Sequence, residues 1–203
     1  TITFYDPESG IFGGLGHPIC DVDTGVIMPV AGGSLIVSDI TDVKIGKSGS
    51  PGELSGSFEL HSDFAKLYSN NKAGIFGNIT DDSAFDEMKP APVAAANELH
   101  TGKAVILANI DGTTVQRYEI EIVSVNDLDD DDMRDMQIRV TDADLLKMTG
   151  GIVQGMSGSP ILQDGRLVGA VTHVFINEPH KGYAIFIGSM LRNSGMYAQQ
   201  KAA

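Results

Sequence analysis

The sequence predicts an all-β protein, arranged as a sandwich or a barrel. Glycine is abundant, with 24 of the 203 residues, and it separates short runs that are rich in Val, Ile, Thr and Phe. About ten short strands with frequent turns are typical of these two architectures. The candidate strands are residues 2–5, 34–45, 54–60, 73–79, 103–110, 114–125, 136–141, 159–163, 166–176 and 182–187.

Two of the turns carry a hairpin signature. Asp111-Gly112 and Asp164-Gly165 each stand between two apolar runs. Asp-Gly favours the two-residue turn whose twist matches that of the flanking strands. The second half of the chain is therefore expected to be built from locally paired strands.

Helical signals are few and fall late in the chain. One short helix is predicted after a possible N-cap at Asp142, and it ends before Gly150-Gly151. A second helix is predicted at the C-terminal end, over residues 188–199.

A small apolar stretch at residues 91–96 is the expected connector between two halves of the structure. The chain is accordingly expected to form one domain over 1–203, with subdomains of about 1–90 and 91–203. The length fits one domain or two tightly joined subdomains.

Composition excludes several classes of protein. Fourteen Lys and Arg against 27 Asp and Glu give a formal charge of −13, and a chain with no basic block repels nucleic acid. No uninterrupted apolar run reaches the roughly 20 residues of a membrane span. The single cysteine, Cys20, excludes an internal disulfide framework and a Cys-cluster zinc site, and we expect it to be a small core residue.

The first residues alternate polar and apolar as if a strand were already under way, with no initiator Met and no signal peptide. We interpret the chain as a domain excised from a longer protein.

The most acidic segment, Asn126–Asp135, holds six Asp and one Arg. Charges of one sign at this density stay hydrated, which favours a solvated loop. Carboxylates also suit calcium, but the Gly and terminal Glu of an EF-hand are missing, so we expect no metal site.

The most informative segment for chemistry surrounds Ser157, which lies between glycines just before a predicted hairpin. Gly155 and Gly158 allow a tight turn that exposes the hydroxyl, and the amides of Gly155 and Ser157 can converge on an oxyanion. The alternative is a Gly/Ser surface turn without chemistry. The pattern G-x-S-G-x-P resembles the nucleophile turn of chymotrypsin-like serine peptidases, with Ser159 in place of a glycine. That resemblance implies two β-barrel subdomains, with the short helix placed before the nucleophile turn.

A serine nucleophile needs a base, and His17 is the best placed of five histidines. It lies early in the chain, in a Gly-rich turn after a strand, as the base does in a chymotrypsin-like chain. His61 and His100 lie in polar surroundings. The acid that would orient the imidazole has two candidates, Asp142 and Asp63. Asp142 could equally be a helix N-cap.

Two further positions bear on activation and specificity. Met156 stands where digestive enzymes have an Asp that pairs with a freed N-terminus, so that switch is not expected. Gly151 stands where a basic-specific enzyme has an acid, so we expect no preference for Lys or Arg at the cleaved position. Thr172 and His173 could line the substrate pocket or be buried in the second barrel.

Two other functions are compatible with a Ser and a His on a β scaffold. One is a non-catalytic module that binds an extended peptide at a sheet edge. The other is an esterase, although the expected G-x-S-x-G elbow followed by a helix is missing.

Nearly the whole chain resembles the SpoIVB peptidase family, and the segment 149–160 is the most specific part. The shared motifs, in chain order, are Thr3-Phe4-Tyr5, Gly13-Gly14-Leu15-Gly16-His17, Asp21-Val22-Asp23-Thr24, Ser48-Gly49-Ser50-Pro51-Gly52-Glu53, Gly74-Ile75-Phe76-Gly77, Val140-Thr141-Asp142, Thr149-Gly150-Gly151-Ile152-Val153-Gln154-Gly155-Met156-Ser157-Gly158-Ser159-Pro160 and Gly169-Ala170-Val171-Thr172-His173-Val174-Phe175.

The resemblance implies a serine endopeptidase of sporulation signalling that needs no cofactor. Its catalytic residues fall on His17, Ser157 and Asp142, which favours Asp142 over Asp63. Such proteins are exported into the space between forespore and mother cell, where they cleave a membrane-anchored regulator of an intramembrane protease. The resemblance also implies possible self-cleavage, and it implies an upstream membrane segment and a PDZ domain in the full protein, as family members usually carry them. A related exported peptidase outside sporulation is the alternative.

Overall fold

The computed structural model describes residues 1–85, 88–128 and 132–196. Eleven strands and two α-helices, with two short 3₁₀ helices at Ser83–Phe85 and Ala96–Glu98, make up the described regular structure. The strands are β1 (Ile2–Asp6), β2 (Ile11–Gly14), β3 (Ser34–Lys44), β4 (Glu53–Asn71), β5 (Gly74–Ile79), β6 (Gly102–Asn109), β7 (Val115–Val125), β8 (Met136–Val140), β9 (Pro160–Gln163), β10 (Arg166–Phe175) and β11 (Glu178–Phe186). The helices are α1 (Ala143–Thr149) and α2 (Ile187–Asn193).

The strands form two separate β-structures, which confirms the all-β, chymotrypsin-like prediction. The first is a curled, open sheet in the order β1-β2-β5-β4-β3, and the second is a closed barrel in the order β10-β11-β8-β7-β6-β9. The first structure is therefore a half-barrel rather than a closed barrel. It occupies the first 79 residues, and the segment 91–96 leads from it towards β6.

The ten predicted strands all overlap observed ones, and the main omission is β2. Its sequence, Ile11–Gly14, contains two glycines and so resembles a turn. In the structure a β-carbon on Gly13 would lie 2.3 Å from the ring of Phe4. The glycine thus lets an aromatic side chain cross β2 and does not break the strand.

Both predicted hairpins and both helices are present with shifted boundaries, but the connection at Asp111-Gly112 is longer than a tight turn, because the last pair of β6 and β7 is Asn109 with Val115. Asp164 and Gly165 both have positive φ, at 51° and 77°, as a tight Asp-Gly turn requires. Asp142 caps α1, and Gly150 ends it in the left-handed conformation with a φ of 76°. The C-terminal helix ends at Asn193 rather than 199, and residues 197–199 of that prediction lie outside the described residues.

The two structures have cores of very different size. The barrel encloses a large cluster that includes Ile106, Ile120, Ile138 and Ile161, each at most 1% exposed. The open sheet has its own small cluster of Phe12, Ala65 and Ile75. Most of the hydrophobic stabilisation therefore lies in the second half of the chain.

Main-chain hydrogen bonds join the start of β4 and the loop before it to the segment between α1 and Ser157. The Leu54 amide donates to the Gln154 carbonyl, and the Gln154 amide donates to the Gly52 carbonyl, both at 2.9 Å. The Gly46 amide donates to the Thr149 carbonyl at 2.8 Å. The approach to the nucleophile turn is thus attached to the first sheet as well as to the barrel.

Three sequence expectations concern membranes, metals and Cys20. No helix in the described part of the chain has the length and apolar character needed to cross a membrane. The described residues contain no group of three or more His, Cys, Asp or Glu arranged to hold a metal, and residues 129–131 of the acidic loop lie outside them. Cys20 is only half-buried and pairs with Ile27 in a short bridge, so its expected place in the core is wrong.

Asp135 is a charged residue inside the barrel and is only 1% exposed. Its Oδ2 accepts from the Phe186 amide at 2.7 Å and from Ser189 Oγ at 3.0 Å, which anchors the start of α2. Its Oδ1 has no hydrogen-bond partner. Burial raises the pKa of this carboxyl above its ordinary value, because water no longer solvates the charge.

We expect Asp135→Asn to change how stability depends on pH. The raised pKa of Asp135 means that the folded state binds a proton more readily than the unfolded state, so the wild type gains stability as pH falls through the folded pKa. Asparagine keeps an acceptor but binds no proton. The free energy of unfolding of the wild type, minus that of the variant, should therefore rise between pH 7 and pH 4 in urea titrations. Parallel pH profiles would contradict this account.

Candidate active site

Ser157 lies in a tight turn whose glycines are required by the geometry. Gly155 and Gly158 have φ values of 101° and 87°, in the region that favours glycine. A β-carbon on Gly158 would lie 2.2 Å from the Thr1 carbonyl oxygen and 2.6 Å from the Leu15 nitrogen. Three chain segments therefore approach one another at Gly158 more closely than any other residue would allow.

The hydroxyl of Ser157 is half-buried and has a defined partner. Its Oγ donates to the Thr172 carbonyl at 2.9 Å, which places it on strand β10. In the described part of the chain no hydrogen bond joins Ser157 Oγ to a histidine. The serine is thus held with its proton directed at β10.

The amides expected to form the oxyanion hole are open. Among the described residues, neither the Gly155 amide nor the Ser157 amide donates a hydrogen bond to protein. The Met156 side chain between them is buried, at 1% exposed, and its carbonyl accepts from the Ser159 amide at 3.0 Å. The buried methionine anchors the turn while both flanking N–H groups stay available to an anion.

His17 follows strand β2 and reaches the same part of β10. Gly16 packs so closely on the barrel that a β-carbon there would lie 2.9 Å from Thr172 Cγ2. The His17 and His173 rings lie 4.9 Å apart, centroid to centroid, at an angle of 42°. The structure therefore brings His17 and Ser157 to consecutive residues of one strand, although they are 140 positions apart in the sequence.

The tautomer of His17 follows from its own contact. Its Nδ1 lies 2.9 Å from the Pro18 carbonyl oxygen, which can only accept. Nδ1 must then carry the proton, which leaves the lone pair on Nε2. A histidine in this state can take a proton at Nε2.

His173 adds a second imidazole to the site. Partial burial, with smaller effects from His17 and Arg134, lowers the pKa of His173 below its usual value. An uncharged His173 does not repel the positive charge that His17 acquires when it accepts a proton. Thr172 is buried at 4% exposed, and its Oγ1 has no hydrogen-bond partner.

The structure does not bring Asp142 to His17, and its role as the acid stays a prediction. Its Oδ1 accepts from the Asp144 amide at 3.0 Å and the Leu145 amide at 2.9 Å, and its Oδ2 accepts from the Glu119 amide at 3.1 Å. Glu119 belongs to β7, which is three strands from β10 in either direction round the closed barrel. These contacts are those of a helix cap attached to a strand.

The rival acid, Asp63, is also engaged elsewhere. It lies in β4, is exposed, and forms an ion pair with Lys66. The hydrogen bond from Lys66 lowers the pKa of Asp63. No hydrogen bond joins either carboxylate to His17 within the described ranges.

The remaining candidates are placed as follows. Gly151 is buried against the Pro179 carbonyl, where a β-carbon would lie 2.2 Å away, so its role in a substrate pocket stays a prediction. His100 is exposed and lies 2.8 Å from Asp164, in the turn between β9 and β10. A surface depression of about 580 Å³ between β6, β7 and β9 contains none of the candidate residues. The backbone of His61 lies in β4.

Strand β1 is the feature of the site that sequence reasoning missed. The Thr1 carbonyl accepts from the Leu15 amide at 3.1 Å, two residues before His17. Thr3, 5% exposed, donates from Oγ1 to the Gly158 carbonyl at 2.8 Å, one residue after Ser157. One strand therefore holds both loops. The only sequence signal was the polar–apolar alternation of β1, which does not identify what the polar residues contact.

Comparisons with known proteins identify one family. Residues 1–191 match the family model for the SpoIVB peptidase S55 family. No curated protein gives a significant match.

Among solved structures, three of one protease are similar to this chain. The inactive form of Rv3671c protease is 19% identical over 71% of this chain and 73% of its own, with a TM-score of 0.45. An inactive mutant form of Rv3671c from M. tuberculosis H37Rv is 18% identical over 81% and 84%, with a TM-score of 0.46. The active form of Rv3671c protease from M. tuberculosis is 16% identical over 75% and 78%, with a TM-score of 0.43.

Thr3→Val should weaken the nucleophile turn. Valine has the shape of threonine but leaves the buried Gly158 carbonyl without this donor, which costs about 1–3 kcal/mol of folding stability. A displaced turn should also slow the reaction of Ser157 with a fluorophosphonate, by about tenfold to a hundredfold. Thr3→Ser keeps the hydroxyl and is the matched control. Equal labelling rates in all three proteins would show that β1 does not position the turn.

Proposed function

The chain belongs to the SpoIVB peptidase S55 family and is a serine peptidase, and we propose that it is an endopeptidase of sporulation signalling. Its proposed substrate is the extracytoplasmic part of a membrane-bound regulator of an intramembrane protease. This places the protein outside the cytoplasm, between the forespore and mother-cell membranes. Family membership supports the reaction, and the resemblance of the motifs supports the biological setting.

The catalytic proposal rests on one observation: Ser157 and His17 contact neighbouring residues of β10, Thr172 and His173. The serine Oγ contacts the Thr172 carbonyl, and the His17 ring lies against His173. The proposed reaction requires the Ser157 hydroxyl proton to turn from the Thr172 carbonyl towards His17 Nε2. Catalytic hydrogen bonds are often long or misaligned before substrate binds, so the absence of this contact in the free protein is compatible with the proposal.

The reaction then follows from the positions of these groups. His17 Nε2 accepts the proton as Ser157 Oγ attacks the scissile carbonyl carbon. The amides of Gly155 and Ser157 receive the oxyanion, and losing one such donor typically costs about 10²–10³-fold in rate. His17 gives its proton to the leaving amine, and water hydrolyses the acyl-enzyme with His17 again as base.

The Pro18 carbonyl fixes the tautomer that this scheme needs. With Nδ1 donating to that carbonyl, Nε2 is the basic atom. Partial burial lowers the pKa of the neighbouring His173, which disfavours a second positive charge at the site. Contacts in the structure therefore support the roles of Ser157 and His17. The role of Asp142 as the acid rests on the family resemblance.

We expect Ser157→Ala and His17→Ala to abolish cleavage of the regulator's extracytoplasmic domain by the purified protein. Ser157→Ala should also abolish fluorophosphonate labelling. Ser159→Ala is the matched control, because that serine lies in the same turn, is buried, and its Oγ has no hydrogen-bond partner. Cleavage by Ser157→Ala at the wild-type rate would refute the mechanism. Labelling of the wild type without any cleavage of the regulator would refute the substrate.

Asp142→Asn separates a cap from a catalytic acid. Asparagine can still cap the helix through Oδ1 but turns an NH₂ towards the Glu119 amide, so a structural role predicts a lower Tm with nearly wild-type activity. A triad acid predicts a loss of about 10⁴-fold in kcat, because asparagine would favour the wrong imidazole tautomer. The contacts favour the first result. A large loss of kcat with an unchanged Tm would instead identify Asp142 as the acid.

A further inference from the structure

A short hairpin projects from the molecule directly after His17. It spans residues 19–28, and we call it the His17 hairpin. The Met28 amide donates to the Ile19 carbonyl at 3.0 Å, and the Asp21 amide donates to the Val26 carbonyl at 2.9 Å. The hairpin begins two residues after the imidazole that lies at the candidate site.

The His17 hairpin exposes an unusual amount of apolar surface. Val22, at its tip, is 98% exposed, and Val26 is 63% exposed. The other exposed apolar residues of the hairpin are Ile19, Ile27 and Met28. Single exposed apolar residues are common, but five of them within ten residues of one hairpin are typical of an interaction site.

The hairpin is held rigidly at both ends. At its base, Asn70 Oδ1 accepts from the Ile19 amide at 2.8 Å, and Asn70 Nδ2 donates to the Ile19 and Met28 carbonyls at 2.7 and 2.9 Å. At its tip, Asp21 Oδ1 accepts from the amide and hydroxyl of Thr24 at 2.9 and 2.8 Å. A surface that is already ordered loses little conformational entropy when it binds a partner.

The charges of the hairpin are all negative. Asp21 and Asp23 are exposed, and residues 18–30 contain no Lys or Arg. The hydrogen bonds from Thr24 lower the pKa of Asp21, so it stays ionised. A partner that covers this surface must therefore present apolar side chains to the valines and positive charge to the carboxylates.

The base of the hairpin lies close to the site of cleavage. His17 contacts His173, and the adjacent Thr172 contacts Ser157. Ile19 follows His17 by two residues, so their Cα atoms are at most about 7 Å apart, and a peptide bound at Ser157 and His17 has the hairpin within reach of its flanking residues. The occupant most consistent with this position is the substrate itself.

We propose that the His17 hairpin is a docking surface for the protein substrate. It binds a substrate segment that flanks the cleaved bond and carries apolar and basic side chains. This inference rests on the proposed peptidase function and extends it to specificity. The hairpin would select substrate residues that flank the cut. This selection is separate from the expected lack of preference for Lys or Arg at the cleaved position, which follows from the glycine at position 151. Selectivity would then depend on the hairpin rather than on a charged primary pocket.

The test compares hairpin variants on a peptide library whose cleavage products are identified by mass spectrometry. The library comes from proteins digested after Glu, so that Lys and Arg stay inside the peptides. Val22→Ser/Val26→Ser removes the apolar tip, and Asp23→Asn removes one charge. Val115→Ser/Val123→Ser is the matched control, because both valines are exposed on β7, three strands from β10 round the barrel.

The wild type should prefer peptides with apolar and basic residues on one flank of the cut. The double hairpin variant should lose about tenfold in kcat/KM on the best such peptide, mainly through KM, since two valines would no longer be buried. Asp23→Asn should weaken the preference for basic residues and the dependence of kcat/KM on salt. The control should match the wild type, and fluorophosphonate labelling should be equal in all four proteins.

Unchanged cleavage preferences and kcat/KM in the double hairpin variant, with labelling intact, would overturn the docking proposal. So would conversion of a dimer to a monomer by that variant with unchanged kinetics, because the surface would then join two copies of the chain. Failure of the wild type to be labelled or to cleave any peptide would count against the proposed function instead.

Discussion

The close approach of three backbone segments at Gly158 determines the geometry of the candidate site. The Thr1 carbonyl and the Leu15 amide occupy the space that a side chain would need, and these two groups are hydrogen-bonded to each other. Because Leu15 precedes His17 and Gly158 follows Ser157, the contact fixes the separation of the two functional loops. A larger residue at this point would separate the sheet from the barrel, and the catalytic pair with it.

Much of the fold was predictable because its signals are local. Asp-Gly turns, alternating apolar residues and the cap at Asp142 each act over a few positions, and each identified an observed element. Strand β2 was missed because its glycines resemble a turn, whereas Gly13 serves to admit the Phe4 ring, which is a tertiary contact. The turn at Ser157 was predictable for the same local reason, because both flanking glycines adopt positive φ.

The parts of the site that sequence could not supply depend on long-range contacts. Thr3 and Gly158 are 155 positions apart, and no pattern in β1 points to that hydrogen bond. Asp142 illustrates a different limit. Its surroundings in the sequence suit a helix cap and a catalytic acid equally, and the distinction depends on the order of strands round the barrel. In that order, β7, whose Glu119 contacts Asp142, is three strands away from β10, which contains Thr172 and His173.

The unequal cores have a consequence for how the enzyme would respond to heat. Ser157 lies beside the closed barrel and its large core, whereas His17 follows a strand of the open sheet, whose own cluster has three buried members and which adds Phe76 to the large core. Regions with little buried apolar surface open at lower cost than the rest of a protein. Warming should therefore dissolve the sheet while the barrel persists, so that catalysis ceases well below the temperature at which most of the secondary structure melts.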